Sequence, residues 1–399
     1  MPHHVDSEVD RLSTALLHRP GPELARLTPR NRHPLLFDAI PWLTRAQEEH
    51  DAFASVLRDN EVEVLYIGEL LTETLAVTEA RDEMLDNVLS DPKLGDTLRR
   101  RVSDHLAYLD PAGLTDVLIA GLTHEELRIG GDRPGGLVHR LMQRDDFIID
   151  PLPNLLYTRD PSVWIRDRAA VLSCRFPVRQ REPHLISTIY RHHPRFVGTE
   201  LLYEPSFEQI EGGDVLLLAA GVLAVGVGER TTAAGIERLA RRVFAADLAH
   251  TILAVPVPAE PALHLDTLCA MVDADAVLMY PHLADSLAAY TVIAGSDGEP
   301  QVDGPAPFLD AAADAMDIDA LRVIDTGLEP IGAERERWEG GNNVLAIAPQ
   351  RCVVYERNGE TNVRLERAGI EVITVPGSEL LAGRGGPRAL CCPLIREPG

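Results

Sequence analysis

Positive charge is scarce in this chain of 399 residues. Lysine and arginine number 38 against 62 aspartates and glutamates, and the formal net charge is −24. A nucleic-acid-binding protein needs a basic face that releases phosphate counterions, and an anionic membrane surface repels an acidic protein. The composition therefore excludes nucleic acid and membrane surfaces as partners, whereas a cationic small molecule would be attracted.

Cysteine and long apolar runs are also scarce. Five cysteines are an odd number spread thinly over a long chain, which fits reduced thiols better than a disulfide framework. The longest apolar run, Val215 to Gly228, is too short to cross a bilayer and reads as two buried strands joined at Ala220-Gly221. The opening "MPHHVDSEVDRL" is too polar and acidic for a signal peptide. We therefore expect a cytoplasmic protein.

What the sequence does contain is a repeated plan. Residues 211–257 read as an acidic glycine turn, two strands, a helix and a further strand, and residues 339–377 repeat this order closely. Residues 158–182 and 264–280 have the same shape, and "EEHDAFASVLRDNEVEVLYIG" supplies a fifth helix-strand ending. Such units cannot bury their faces alone. We predict an α/β fold with a ring of about five ββαβ units whose polar starts converge on one centre.

One region interrupts the plan. The stretch 73–145 has a charged helical pattern with turns at Asp110-Pro111 and Gly130-Gly131. We interpret it as an inserted helical bundle, which leaves 1–72 and 146–399 for the repeated domain.

The polar residues that precede the first strand of each repeated unit could act together in one site. Asn154 and Asp160 lie in "LPNLLYTRD", Glu211 in "EGGD", and His264 and Asp266 in "HLDT". Each alone is more often a turn residue, but the repeat puts them at equivalent places. Three carboxylates in one pocket repel one another unless a cation joins them. A guanidinium suits planar carboxylates, a metal ion is the alternative, and the histidine could act as acid and base. A nucleophile is missing.

The tail "GSELLAGRGGPRALCCPLIREPG" has the form of a loop that holds something, because its glycines allow close backbone approach. The residue at its centre is Ala389, which has no reactive group. Cys391 and Cys392 follow it, and two adjacent cysteines do not form a zinc knuckle.

Long motifs in this order resemble those of the arginine deiminases. They are "LTPRNRHPLLFDAIPW", "LPNLLYTRDPSVWI", "EGGDVL", "GERTT", "HLDT", "WEGGNNV" and "GRGGPRALCCPL". The resemblance implies a five-bladed, pseudo-symmetric α/β propeller with an inserted helical bundle. It also implies hydrolysis of L-arginine to L-citrulline and ammonia through a covalent cysteine intermediate, without cofactor or metal, by a cytosolic homo-oligomer (dimer or tetramer).

The resemblance also assigns roles to residues. Asp160 and Asp266 would bind the guanidinium nitrogens, Glu211 would add a carboxylate beside them, and His264 would move the protons. The substrate's amino-acid end and the pocket wall would be formed by Asn154, Arg179, Arg230, Leu36, Gly383 and Arg384.

In the same alignment of motifs, Ala389 occupies the place of the nucleophilic cysteine. Cys391 lies two residues on, about 6.6 Å farther along a strand, and Cys392 points to the other face. Since attack needs about 3–3.5 Å, we expect both to be buried structural thiols. We therefore expect this chain to bind arginine but not to turn it over. A deliberate Cys-to-Ala change and a naturally inactive homologue both remain open.

Other functions remain open as well. Agmatine deiminases, dimethylarginine hydrolases and amidinotransferases share the same set of residue types, although Arg179 and Arg230 argue against agmatine, which has no carboxylate. A metal-dependent hydrolase and a non-catalytic arginine-binding protein are the remaining alternatives.

Overall fold

The computed structural model contains several short β-sheets, and five of those in the described residues include the same strand pattern. It describes residues 3–128, 136–205, 207–258, 264–280, 284–296, 298–325 and 327–397. The strands are β1 (Arg11–Leu17), β2 (Glu63–Tyr66), β3 (Leu122–Thr123), β4 (Phe147–Ile149), β5 (Ser162–Ile165), β6 (Arg168–Val171), β7 (Leu201–Tyr203), β8 (Val215–Ala219), β9 (Val222–Val227), β10 (Thr251–Pro256), β11 (Cys269–Asp273), β12 (Ala276–Met279), β13 (Ala288–Ala294), β14 (Pro300–Pro307), β15 (Arg322–Asp325), β16 (Leu345–Ala348), β17 (Arg351–Tyr355), β18 (Glu371–Val375) and β19 (Cys392–Glu397).

Helices connect and cover these strands. They are α1 (Pro22–Ala25), α2 (Leu43–Asp59), α3 (Ile67–Thr74), α4 (Thr78–Leu89), α5 (Gly95–Ala107), α6 (Pro111–Ala120), α7 (His124–Arg128), α8 (Leu137–Leu141), α9 (Arg181–His192), α10 (Ala233–Ala245), α11 (Phe308–Met316), α12 (Pro330–Trp338) and α13 (Gly359–Arg367). Within the described part of the chain, none of them is long and apolar enough to cross a membrane.

The repeated unit is visible in the strand pairing. In β5-β6-β7, β8-β9-β10, β11-β12-β15, β16-β17-β18 and β19-β1-β2, the first pair is antiparallel and the second is parallel. A helix lies in each parallel connection: α9, α10, α11, α13 and α2, in that order. This confirms the α/β class and the ββαβ units. Their closure into a five-bladed propeller stays a prediction.

Local sequence explains the second unit well. The apolar run forms β8 and β9, and the predicted turn falls at Gly221, whose φ of 79° is easily adopted by glycine. In α10 the side chains of Ile236, Leu239, Ala240 and Val243 are buried, as the helical spacing predicts. The hydroxyl of Thr232 accepts a hydrogen bond from the Gly235 N–H and caps this helix.

The predicted insert is helical, but the first of its helices, α3, already begins at Ile67. Residues 129–135 of the insert, including the Gly130-Gly131 turn, lie outside the described residues. Buried Met84 and Leu118 of the helices share one hydrophobic core with Leu185 and Ile189 of α9. The division into two domains therefore stays a prediction.

Short 3₁₀ turns precede the first strand of four of the ββαβ units and position the polar side chains of the site. They comprise Pro153–Leu156 before β5, Gly212–Asp214 before β8, Leu265–Thr267 before β11, and Leu380–Gly383 ahead of β19. Residues of these turns, or immediately beside them, line one cavity.

Candidate active site

A cavity of about 620 Å³ collects the residues that the sequence singled out. The predicted site residues on its wall are Leu36, Asn154, Asp160, Arg179, Arg230, His264, Asp266, Gly383, Arg384 and Ala389. Glu211 is fully buried behind the ring of His264. The structure thus brings the predicted set together, with Glu211 in a supporting position.

His264 and Glu211 form a buried pair. Nε2 of His264 lies 2.8 Å from Oε2 of Glu211, and Nη1 of Arg230 donates to the same oxygen at 3.2 Å. Burial alone lowers the pKa of His264, but the charge of Asp160 and the bond to Glu211 outweigh burial and raise it to about 9. Burial alone raises the pKa of Glu211, but the His264 bond and the Arg230 charge hold it well below its ordinary value. The imidazole is therefore protonated at neutral pH.

Glycine is required where this pair is packed. A Cβ on Gly213 would lie 2.6 Å from Nδ1 of His264, closer than real Cβ contacts allow. The N–H of the same glycine donates to Oδ1 of Asp160 at 3.1 Å. The "EGGD" motif thus places Glu211, leaves room for the imidazole, and fixes one oxygen of Asp160.

Asp160 is tied to Arg179. Nη1 of Arg179 donates to Oδ2 of Asp160 at 2.6 Å, while its Nε and Nη2 bind Glu182 at 3.0 and 2.8 Å. Arg179 Nη2 also donates to the carbonyl of Asn154 at 3.3 Å. Burial raises the pKa of Glu182 to about 7, although Arg179 opposes the shift. Four of the five guanidinium N–H groups of Arg179 are thereby used within the protein.

Asp266 lies across the cavity. Its Oδ2 accepts a bond from Nη1 of Arg388 at 2.8 Å, and its backbone carbonyl accepts one from Asn343 at 3.3 Å. Burial raises the pKa of Asp266 above its ordinary value, and the opposing charge of Arg388 does not fully offset this.

Ala389 is 8% exposed, and its backbone is held on both sides. Its N–H donates to Oδ1 of Asn343 at 3.1 Å, and its carbonyl accepts from the N–H of Arg159 at 3.2 Å. Close packing explains one glycine of the loop, since a Cβ on Gly386 would lie 2.5 Å from the Asn343 carbonyl oxygen. Position 389 is therefore fixed on the wall of the cavity that His264 and both aspartates also line.

The two following thiols are buried, as expected. Cys391 and Cys392 are fully buried, and neither is among the residues that line the cavity. Burial raises the pKa of Cys391 to about 12 and also raises that of Cys392. Neither thiol is suited to attack a group in the cavity.

The predicted contacts for the substrate's amino-acid end lie on the same cavity. Arg230 stacks over the ring of Phe176, with its guanidinium carbon 4.6 Å from the ring centroid, and its buried Nε has no partner among the described residues. The side-chain amide of Asn154 donates to the carbonyl of Leu35 at 2.7 Å. That bond anchors the loop that presents Leu36.

Two loops meet over the cavity. Arg384 is ion-paired with Asp38 and stacks over the ring of Trp338 at 4.1 Å. Leu36 and Arg384 have φ values of 64° and 69°, a left-handed conformation that costs non-glycine residues of order 1–3 kcal/mol. The N–H of Gly383 donates to the Tyr157 hydroxyl at 3.0 Å, which joins this loop to the cavity wall.

Three site residues lie close enough together to form a metal site, which was the alternative to a guanidinium site. Ligand atoms of Asp160, Glu211 and His264 all lie within 4.8 Å of one another. However, Arg179 already bonds the first, Arg230 bonds the second, and the imidazole is protonated. These contacts satisfy the carboxylates without a metal ion.

Several site residues were not predicted from the sequence. Asn343, Arg388 and Glu182 each contact a predicted residue. Asn343 lies in the "WEGGNNV" motif and Arg388 in "GRGGPRALCCPL", but neither residue was given a role. Gly340 of the "WEGGNNV" motif has a φ of 75°, a conformation that glycine adopts easily. Asn343 of the same motif accepts a hydrogen bond from the backbone N–H of Ala389.

The fold and the site together define a class, namely α/β proteins built from ββαβ units around a buried cluster of acids and an imidazole. An amidinotransferase from Microseira wollei has this fold, with a TM-score of 0.55, 13% identity, and coverage of 100% of this chain and 98% of that one.

Sequence comparison narrows the class to one family. The model of the family described as arginine deiminase matches residues 33–396. Arginine deiminases of Rhodococcus jostii and Rhodococcus erythropolis are 54% and 53% identical, over 100% of this chain and 98% of each relative. The chain belongs to the arginine deiminase family.

Proposed function

We propose that this cavity binds L-arginine and that the chemistry it supports is hydrolysis of the guanidinium to give L-citrulline and ammonia. The observation that carries the proposal is the placement of position 389. It lies on one cavity wall with two buried aspartates and a protonated imidazole, in a member of the arginine deiminase family.

In this reaction a thiolate at position 389 attacks the guanidinium carbon while Asp160 and Asp266 hold its nitrogens. The C–N bond to one terminal nitrogen breaks, and His264 donates a proton so that ammonia leaves. Water then attacks the amidino-thioether carbon and gives a proton to His264. The C–S bond breaks, the thiolate leaves with the bonding electrons, and the remaining hydroxyl proton passes to solvent, where it protonates the released ammonia, so that neutral citrulline is formed. Glu211 keeps His264 oriented and raises its pKa, so the acid form is available at neutral pH.

Ala389 cannot form that covalent intermediate. We therefore propose that the chain binds arginine without releasing measurable citrulline. Cys391 does not replace the nucleophile, because it is fully buried and its pKa is raised to about 12.

For the amino-acid end of the substrate we propose Arg230, Arg179 and Asn154, with Leu36, Gly383 and Arg384 enclosing the pocket. The unpartnered Nε of Arg230 supports its part. For Arg179 the support is that one N–H of Nη1 is not used by the protein and is available to a ligand. This assignment favours arginine over agmatine, which lacks the carboxylate. We also propose a cytoplasmic homo-oligomer, for which five free and buried cysteines support the reducing compartment.

Calorimetry on the chain as it stands tests the proposal. L-Arginine is expected to bind in metal-free buffer, agmatine to bind more weakly, and a parallel colorimetric assay to find no citrulline. Binding that appears only after a divalent metal is added would instead support a metal-dependent site.

A further inference from the structure

Each guanidinium-facing aspartate of the cavity is held by a buried arginine, and each arginine is held by a buried glutamate. On one side the order is Asp160, Arg179, Glu182, as described above. On the other side Nη1 of Arg388 donates to Asp266 at 2.8 Å, and its Nε and Nη2 donate to the two oxygens of Glu8 at 3.1 and 3.0 Å. In both cases Nη1 faces the aspartate, while Nε and Nη2 face the glutamate.

Glu8 reaches this position from the far end of the chain. It lies 380 residues from Arg388 and outside residues 33–396, the part that the arginine deiminase family model matches. Its N–H donates to the carbonyl of Leu217 at 2.9 Å, and its side chain is only 6% exposed. The N-terminal segment that carries Glu8 is therefore packed in the protein interior, behind the residues that line the cavity.

Charge balance gives this contact a purpose beyond packing. Asp266 must stay ionised and unneutralised if it is to attract a guanidinium, but it is bonded directly to Arg388. A second buried arginine, Arg159, lies 3.5 Å from Glu8. A third buried arginine, Arg396, also acts on Glu8. Without Glu8, three buried arginines would face one aspartate, and the net positive charge behind the cavity would rise by one unit. Burial alone raises the pKa of Glu8, but the charges of Arg388 and Arg159 lower it to about 2, so it stays ionised at neutral pH.

We propose that Arg388 and Glu8 are positioning residues for arginine binding: Arg388 fixes one oxygen of Asp266, and Glu8 offsets the arginine charge so that Asp266 attracts the substrate guanidinium. The N-terminal segment is then a functional part of the site. This proposal rests on the proposed arginine-binding function.

The test compares a cationic and a neutral ligand on the same protein. Kd for L-arginine is measured by calorimetry, and that for L-citrulline by competition, in the chain as given and in Glu8→Gln. Glu8→Gln is expected to weaken arginine binding about tenfold while changing citrulline binding by less than about threefold. The surface variant Glu371→Gln, which breaks an exposed pair with Arg351, should change neither value.

A second variant separates charge from structure. Glu8→Gln combined with Arg388→Met removes both buried charges together with the bond that fixes Asp266, so its preference for arginine over citrulline is expected to lie between those of Glu8→Gln and the unsubstituted chain. It also decides the question if Glu8→Gln alone does not fold by circular dichroism. Equal weakening of both ligands in Glu8→Gln, or loss of the preference in the double variant, would overturn the proposal. Failure of the unsubstituted chain to bind arginine would overturn the proposed function itself.

Discussion

Restoring a thiol at position 389 is the most direct test of how this site works. Ala389→Cys is expected to convert the chain into an arginine deiminase, because Asp160, His264 and Asp266 already line the cavity around that position. Loss of a nucleophile can cost about 10⁶ in turnover, as a serine protease shows, which corresponds to roughly 8 kcal/mol of transition-state stabilisation. The gain from this one sulfur atom should be of that order.

The structure indicates that the substitution is tolerated. Ala389 borders a cavity of about 620 Å³, so the added sulfur enters open space and avoids the roughly 1–3 kcal/mol that overpacking costs. Its backbone is already fixed by Asn343 and Arg159. The protonated His264 lines the same cavity, and a cation close to a thiol favours its ionised form.

The assay is citrulline release by four proteins whose folding is matched by circular dichroism. They are the chain as given, Ala389→Cys, and that variant with Cys391→Ser or with Cys392→Ser added. Activity should appear with Ala389→Cys, persist in both serine variants, and be blocked by alkylation from which arginine protects. Activity in the chain as given that disappears with Cys391→Ser would refute the reasoning, because the nucleophile would then lie two residues later.

Ligand-induced stability, specificity and pH dependence provide three further tests. L-Arginine should raise the melting temperature of the chain more than L-citrulline does, since its guanidinium adds charge attraction to Asp160 and Asp266 that neutral citrulline lacks; a larger shift with citrulline would contradict this. Arg179→Ala should weaken arginine binding more than agmatine binding in calorimetry, because both ligands lose the support of Asp160 but only arginine has a carboxylate; equal losses would show that Arg179 serves Asp160 and not the substrate carboxylate. The raised pKa of His264 should contribute roughly 3 kcal/mol of stability below pH 6.5 that is lost as pH rises through about 9. Thermal unfolding from about pH 6 to 10 should therefore show a smaller decline in His264→Asn, and an identical decline would refute that role.

The repeated plan could be predicted because each unit carries its own local signals. An acidic glycine turn followed by two apolar strands, as at Glu211 to Val227, determines a hairpin and fixes where its polar start lies. Because Asp160, Glu211 and Asp266 occupy equivalent starts, their convergence followed once the units were recognised. The position of Glu211 behind His264 could not be predicted, because it depends on the hydrogen-bond partners of the Glu211 carboxylate oxygens, and the sequence pattern does not specify these partners.

Side-chain contacts between segments that are distant in the sequence could not be predicted either, for a different reason. Periodicity and turn chemistry describe neighbours along the chain, whereas the partners of Arg388 come from residue 8 and from residue 266. The sequence around Arg388 does not indicate whether its side chain is buried and ion-paired or exposed on a mobile loop. The glycine-rich tail similarly predicted a close approach without predicting that Asn343 would be the group approached.

The pairing of β19 with β1 has a consequence for synthesis of the protein. The hydroxyl of Ser13 donates to Glu397 across 384 residues, and the loop with position 389 leads directly into β19. During translation the chain emerges from its N-terminus at about 5–20 residues per second, so β1 must wait tens of seconds for this partner. Four of the repeated units can form earlier, but the loop that completes the cavity cannot dock until β19 has left the ribosome. A nascent chain should therefore be unable to bind arginine, and the ligand should act only on the finished protein.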